Sequence, residues 1–168
     1  MIGYVCKYTP VEVFEAMGVE IGRIQPEVTN FNQADTLMHP NICSFTKSVL
    51  EDVLAGDYEG VVLTTCCDSI RRLYDVLKQQ CPDKFLYLLD VPRKVNDFST
   101  DMYRENILDM VHAYEAFSGK TFDEIVLKQL LERREAGQNL RTAPKNKASV
   151  HIGLMGARCS KGIIDGII

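Results

Sequence analysis

Gly60-Val61-Val62-Leu63-Thr64-Thr65-Cys66-Cys67-Asp68-Ser69-Ile70-Arg71-Arg72-Leu73-Tyr74-Asp75-Val76-Leu77 is the stretch that decides the fold. Its first part is a short apolar run of the kind that makes a buried strand, and its second part has apolar residues at 70, 73, 74 and 77, the spacing of one helix face. A strand that passes directly into a helix is the repeating half of a parallel α/β sheet, with the turn at the carboxyl edge. Two cysteines occupy that turn. The helix amino-terminus behind them offers free N–H groups and partial positive charge, which favour thiolate, and thiolate is the form that binds metal.

The same alternation continues in both directions. Upstream, residues 1–6 read as a strand, and Thr9-Pro10 followed by Val13, Phe14 and Met17 reads as a capped amphipathic helix ending at Gly18. Residues 21–24 make a short second strand. Residues 25–40 are polar and read as a long irregular loop, of a length that is uncommon in compact domains and often functional. A helix follows from Ser44, with Phe45, Val49 and Val53 on one stripe, Leu50 and Leu54 beside it, and Gly56 closing it; Cys43 stands at its start. Downstream, residues 85–89 form a continuous apolar strand, and residues 99–117 a long helix with Ile107, Leu108, Val111 and Tyr114 as its buried face. Thr121-x-x-Glu124 has the form of a capping box and opens a helix reaching about Glu135.

This order predicts an α/β domain over residues 1–136, a three-layer parallel sheet flanked by helices in the Rossmann-like or flavodoxin-like manner. Residues 137–149 are polar and basic and read as a linker. Residues 150–168 read as the first strand and helix start of a second, similar α/β domain; because a parallel strand needs neighbours on both sides, either this strand joins the first sheet or the chain is an amino-terminal fragment, and the second reading is preferred.

Composition sets the outer limits. A chain of 168 residues, 46% apolar and 25% charged, suits one ordinary globular domain with a sizeable core. No run approaches the roughly eighteen apolar residues of a spanning helix, so no membrane partner is expected. A net charge of −4 argues against a nucleic-acid partner. The amino-terminus begins on a strand-like segment with no signal peptide, which points to the cytoplasm, and Cys6, Cys43, Cys66, Cys67, Cys81 and Cys159 then read as reduced thiols.

Cys43 and Cys67 each stand where a helix begins, with one helix and one strand between them, so a parallel sheet brings both to the same edge. Two readings stay open at this point: ligands for a soft metal or an iron-sulfur cluster, or small side chains that simply pack. Cys6, at the end of the first strand and also at that edge, is read as a core residue, and Cys81, at the opposite edge, as structural or exposed. A serine hydrolase is disfavoured, because the 64–68 turn lacks the glycines of a nucleophile elbow. His39 stands near Cys43 in sequence, whereas His112 reads as solvated. The glycine turn at 153–158 lacks the full dinucleotide fingerprint. Arg71-Arg72 reads either as an anion contact or as a wet face with a salt bridge.

Three separated segments carry a resemblance. They are Ile2-Gly3-Tyr4-Val5-Cys6 with Thr9-Pro10, His39-Pro40-Asn41-Ile42-Cys43-Ser44-Phe45-Thr46-Lys47-Ser48, and Thr64-Thr65-Cys66-Cys67-Asp68-Ser69-Ile70-Arg71-Arg72-Leu73-Tyr74. In this order they resemble the 2-hydroxyacyl-CoA dehydratase family, which includes the 2-hydroxyglutaryl-CoA dehydratase D component, benzoyl-CoA reductase subunits and double-cubane cluster proteins. The resemblance implies a longer protein with two similar domains, in which three cysteines hold a four-iron four-sulfur cluster. Carried over by position, these are Cys43 and Cys67, with Cys66 as runner-up to Cys67 and the third ligand expected beyond Ile168; Cys159 is a poor match for it. Ser44, Asp68 and Ser69 become candidates for supporting the ligands. The implied activity is a radical elimination of water from an acyl-CoA thioester. It requires an ATP-dependent activator as electron donor and a homologous second subunit. Alternatives are an ATP-dependent reductase carrying a double-cubane cluster and acting on small unsaturated molecules, and a non-catalytic α/β interaction domain.

Overall fold

All five residues of the run at 60–64 are buried, a pattern that only a strand covered on both faces sustains. The computed structural model describes residues 1–27 and 30–138. The expected linker from residue 139 onward and the expected second-domain segment at 150–168 lie outside the described residues, as do His151, Cys159 and the glycine turn at 153–158. In chain order the elements are β1 (Ile2–Tyr4), α1 (Val11–Ala16), β2 (Ile21–Arg23), α2 (Asn32–Leu37), α3 (Ser44–Ala55), β3 (Gly60–Thr64), α4 (Asp68–Gln80), β4 (Phe85–Leu89), α5 (Asp97–Ser118) and α6 (Glu124–Gln138). They belong to the compact unit Met1–Glu135, which α6 outruns by a few residues.

The strands form one parallel sheet in the order β2-β1-β3-β4. Ile2 pairs with both Ile21 and Gly60, and Gly60 in turn with Phe85. The chain leaves β1 toward one side of the sheet and returns to the other, so the strand order reverses between β1 and β3. Right-handed crossovers then put α1 and α3 on opposite faces. Side-chain alternation along β3 shows this directly. Val61 and Leu63 pack with Val49, Leu50 and Val53 of α3 and Leu73 and Leu77 of α4. Val62 packs with Phe14 of α1 and with Met110 and Tyr114 of α5. The three-layer α/β fold expected from the alternation is the one observed. Among the described residues, no helix is long and apolar enough to cross a membrane.

Several local expectations need correction. The segment at 25–40, read as irregular, contains α2. Its amino-terminus is capped by Glu51 of α3, a buried carboxylate that accepts the N–H groups of Gln33 at 2.7 Å and Ala34 at 2.8 Å. Lys47 of α3 also pairs with Asp35 at 2.7 Å. A cap that arrives from a later helix leaves no local signal for the segment that it stabilises. Thr9 does not cap α1: Pro10 holds the cap position, and the buried Thr9 hydroxyl has no hydrogen-bond partner among the described residues. Asp123, not Thr121, caps α6, its carboxylate accepting from the N–H groups of Ile125 at 2.8 Å and Val126 at 3.3 Å. On α5, Leu108 lies at the exposed rim of the stripe made by Ile107, Met110, Val111 and Tyr114, and Met110 takes the fully buried position instead. The helix starts at Asp97, with the Asn96 side chain accepting the Ser99 N–H at 2.8 Å, and stops at Gly119, whose φ of 71° is left-handed.

Two predictions follow from this packing. A Cβ added at Gly60 would run into the Phe85 carbonyl and the Ile2 side chain, so Gly60→Ala should destabilise the unit by about 1–3 kcal/mol in denaturant titration. The second concerns alkaline pH. Burial first, and then the hydrogen-bonded carboxylates Asp52 and Glu59, push the phenols of Tyr58 and Tyr114 up from about 10 to about 12. The folded value exceeds the unfolded one, so their stabilisation is fully present below pH 10 and is lost as pH rises toward 12. The melting temperature should fall across that interval, and in a Tyr58→Phe/Tyr114→Phe double variant the fall should be shallower.

Candidate functional site

Cys43 is the N-cap residue of α3 and Cys67 the N-cap residue of α4, both with extended backbone. Neither side chain caps its own helix, and both residues are exposed, so the two thiols are left for other partners at the carboxyl edge. The strand-to-helix turn expected at 64–68 is therefore present, with the helix beginning at Asp68.

The surroundings of Cys43 favour its anion. Its Sγ lies 3.1 Å from the hydroxyl of Thr46, a fully buried residue in the first turn of α3. Burial pushes the Cys43 thiol up, but the neighbouring Thr46 hydroxyl and N–H, the Ser69 hydroxyl and the Phe45 N–H together outweigh it and hold the thiol below the ordinary cysteine value. Ser69 belongs to the first turn of α4, two residues after Cys67. Its hydroxyl therefore brings the start of the second helix against the cysteine that opens the first.

Cys66 is shifted the other way. Burial pushes its thiol up, the Thr64 hydroxyl pulls it down, and the neighbouring Cys67 and Cys6 push it up further. Cys6 was expected at this edge but in the core. It is instead only half-buried, because β1 ends at Tyr4 and Val5 takes the core position. Cys81 is buried at the carboxyl end of α4, in keeping with a structural role.

Of the three residues expected to support the ligands, the structure brings Ser69 to Cys43. Ser44 and Asp68 are exposed at the first positions of α3 and α4, where the Asp68 carboxylate also suits the positive end of its helix. His39 is exposed, and its Nδ1 accepts the Asn41 N–H at 3.2 Å within its own turn. Arg72 pairs with Asp75 at 3.0 Å on the wet face of α4. Among the described residues, no three His, Cys, Asp or Glu side chains converge to hold a metal ion.

Beside Cys66 lies a cavity of about 500 Å³ that sequence reasoning missed, walled by Cys6, Thr64, Thr65, Val91, Arg93 and Tyr103, among others. Thr65 ties its two sides together. The Thr65 hydroxyl donates to the Asp90 carboxylate and accepts the Val91 N–H at 3.2 Å, while the Thr65 N–H donates to the Leu89 carbonyl at 3.0 Å. Tyr103 reaches across from α5, its phenol donating to the Tyr8 carbonyl at 2.6 Å. The only sequence hint was the strand ending at Asp90-Val91-Pro92-Arg93; Tyr103 lies mid-helix and gave none.

With this geometry in hand, comparison with known proteins is informative. Residues 6–148 match the family model described as 2-hydroxyglutaryl-CoA dehydratase, D-component. The chain is also 27% identical over 139 residues to the (R)-phenyllactyl-CoA dehydratase beta subunit of Clostridium sporogenes, an alignment covering 78% of this chain and 36% of that protein. The chain thus spans about a third of the length of the curated relative that it matches.

The opposite shifts at Cys43 and Cys66 set an expectation for metal-free protein. Alkylation by iodoacetamide, followed residue by residue with peptide mass spectrometry, should begin at lower pH for Cys43 than for Cys66. Thr46→Val and Ser69→Ala should each move the Cys43 profile to higher pH and leave the Cys81 profile in place.

Proposed function

The chain belongs to the 2-hydroxyglutaryl-CoA dehydratase D-component family, and from that premise we propose that it forms part of an iron-sulfur subunit of a 2-hydroxyacyl-CoA dehydratase, a lyase that removes water from an acyl-CoA thioester. The observation that carries the reading is the juxtaposition at the carboxyl edge. Two exposed thiols open neighbouring helices, and the Ser69 hydroxyl of the second helix lies close enough to the first thiol to favour its anion.

The donor set suits a four-iron four-sulfur cluster. Cysteine thiolates are its usual ligands, and Cys43 is already biased toward thiolate. Cys43 and Cys67 would hold it, with further ligation from outside the described residues. Cys67 is preferred to Cys66 because it occupies the cap position, whereas the Cys66 thiol is pushed up by burial. When bound, such a cluster supplies one-electron chemistry and Lewis acidity. With Cys43 as a thiolate ligand, the Thr46 hydroxyl 3.1 Å away and the neighbouring Ser69 hydroxyl would donate to its sulfur, lowering the charge that it presents and fixing its orientation. The amino-termini of α3 and α4 add positive potential at the same edge, which favours an anionic group there.

This environment fits a radical elimination. The β-hydrogen of a 2-hydroxyacyl thioester is barely acidic, so direct loss of water is slow, whereas an added electron on the thioester makes the hydroxyl a ready leaving group. Such an electron needs a low-potential donor, and the reading therefore includes an ATP-dependent activator and a homologous second subunit as partners.

Anaerobic reconstitution of the full-length protein with iron and sulfide tests this. A brown protein with about four irons per protomer is expected. Cys43→Ser and Cys67→Ser should each lose most of the iron, and Cys66→Ser should retain it. Colourless protein after reconstitution, or full iron content in both the Cys43 and Cys67 variants, overturns the reading.

A further inference from the structure

Cys6 and Cys66 are the thiols at the carboxyl edge that the proposed ligand set leaves unused. β1 and β3 are adjacent parallel strands, in register from Ile2 opposite Gly60 to Tyr4 opposite Val62. Neighbouring strands run about 4.8 Å apart, so both chains leave the sheet side by side at this edge. Continued by two residues, the register sets Cys6 beside Thr64, and the chain then turns at 65–66 instead of running on. The two cysteines meet in this way on the wall of one cavity of about 500 Å³, whose lining includes neither Cys43 nor Cys67. Cys6 is half-buried and Cys66 exposed, so a small solute reaches both. In keeping with that shared wall, Cys6 is close enough to push the Cys66 thiol up.

Other pairings of these thiols fit less well. Cys66 and Cys67 are consecutive, and consecutive Cα atoms lie about 3.8 Å apart across a trans peptide. A relaxed disulfide spans about 4.4–6.8 Å between Cα atoms, so a bond between these two would strain the turn that opens α4. Cys81 is buried at the carboxyl end of α4, at the opposite edge of the sheet. Cys43 opens α3, with its Sγ 3.1 Å from the Thr46 hydroxyl of its own helix.

We propose that Cys6 and Cys66 are a redox-active pair, which a low-molecular-weight disulfide converts to an intramolecular disulfide while Cys43 and Cys67 stay as thiols. With glutathione disulfide as the oxidant, the exposed Cys66 attacks first as thiolate. A bond forms between Cys66 and one glutathione sulfur, the glutathione disulfide bond breaks, and the other glutathione leaves as thiolate. The Cys6 thiolate then attacks the Cys66 sulfur and displaces the second glutathione thiolate. The two departing thiolates take up the two protons that the cysteines released, so two cysteines are oxidised and one glutathione disulfide is reduced to two thiols. The pairing rests on the strand register and the shared cavity wall. Only the value of sparing Cys43 and Cys67, as metal ligands, rests on the dehydratase reading.

The full-length protein, metal-free and reduced, is incubated with excess glutathione disulfide, quenched with N-ethylmaleimide and mapped by peptide mass spectrometry. A peptide linked through Cys6 and Cys66 should be the main product, with Cys43 and Cys67 recovered as maleimide adducts. Cys6→Ser removes the resolving thiol and should accumulate the mixed disulfide of Cys66 with glutathione. Cys67→Ser and Cys81→Ser should form the Cys6–Cys66 bond as the wild type does. The wild-type map decides the matter even where a variant fails to fold. A main product that joins Cys67 to Cys66, Cys43 or Cys6, mixed disulfides alone in the wild type, or no disulfide at all overturns the proposal. A protein that forms the Cys6–Cys66 bond yet takes up no iron on reconstitution would sink the dehydratase reading and leave the pair standing.

Discussion

Everything else in this unit depends on one constraint, the burial of β3 on both faces. A strand without a solvent side takes parallel neighbours that are also covered, and parallel neighbours are joined only by crossovers that run the length of the sheet. Each crossover that includes a helix starts that helix at the same edge. The amino-termini of α3 and α4 therefore point their N–H groups in one direction, although they come from different βα units. Cys43 and Cys67 share an environment because the sheet is parallel. Their separation in sequence is incidental to it.

Within that edge the neighbouring thiols are not equivalent. Cys43 has the Thr46 hydroxyl and N–H, the Ser69 hydroxyl and the Phe45 N–H in its favour, which suffice to overcome its burial. Cys66 has the Thr64 hydroxyl in its favour and two other cysteines against it. Adjacent thiols resist simultaneous ionisation, since each anion raises the cost of the next. A bound cation would remove that repulsion, so a cluster of thiols of this kind is better satisfied with positive charge among them than without it.

The parts that were legible in the sequence are those specified locally. The apolar runs at 60–64 and 85–89, the helix stripe at 70–77 and the positions of Cys43 and Cys67 at helix starts depend on residues within one or two turns of each other. The parts that were not legible depend on partners far along the chain. α2 is held by Glu51 and Lys47, which belong to the next helix, and no periodicity in residues 25–40 announces it. Cys6 faces the edge because β1 stops short, and Tyr103 reaches the cavity because α5 packs back over the sheet. The capping errors at Thr9 and Thr121 have a related cause, since residue type permits a cap but the path of the incoming chain decides which side chain reaches the free N–H groups.

The dependence of α2 on Glu51 also orders events in folding. A helix of six residues has too few internal hydrogen bonds to offset the entropy of its own nucleation, so it has no independent existence in water. It can form only on an α3 that is already in place, and it must melt before α3 does. The turn at 39–42 connects that conditional helix to Cys43. The chain entering the site thus opens more readily than the helix leaving it, which is anchored on β3 through Val49, Leu50 and Val53.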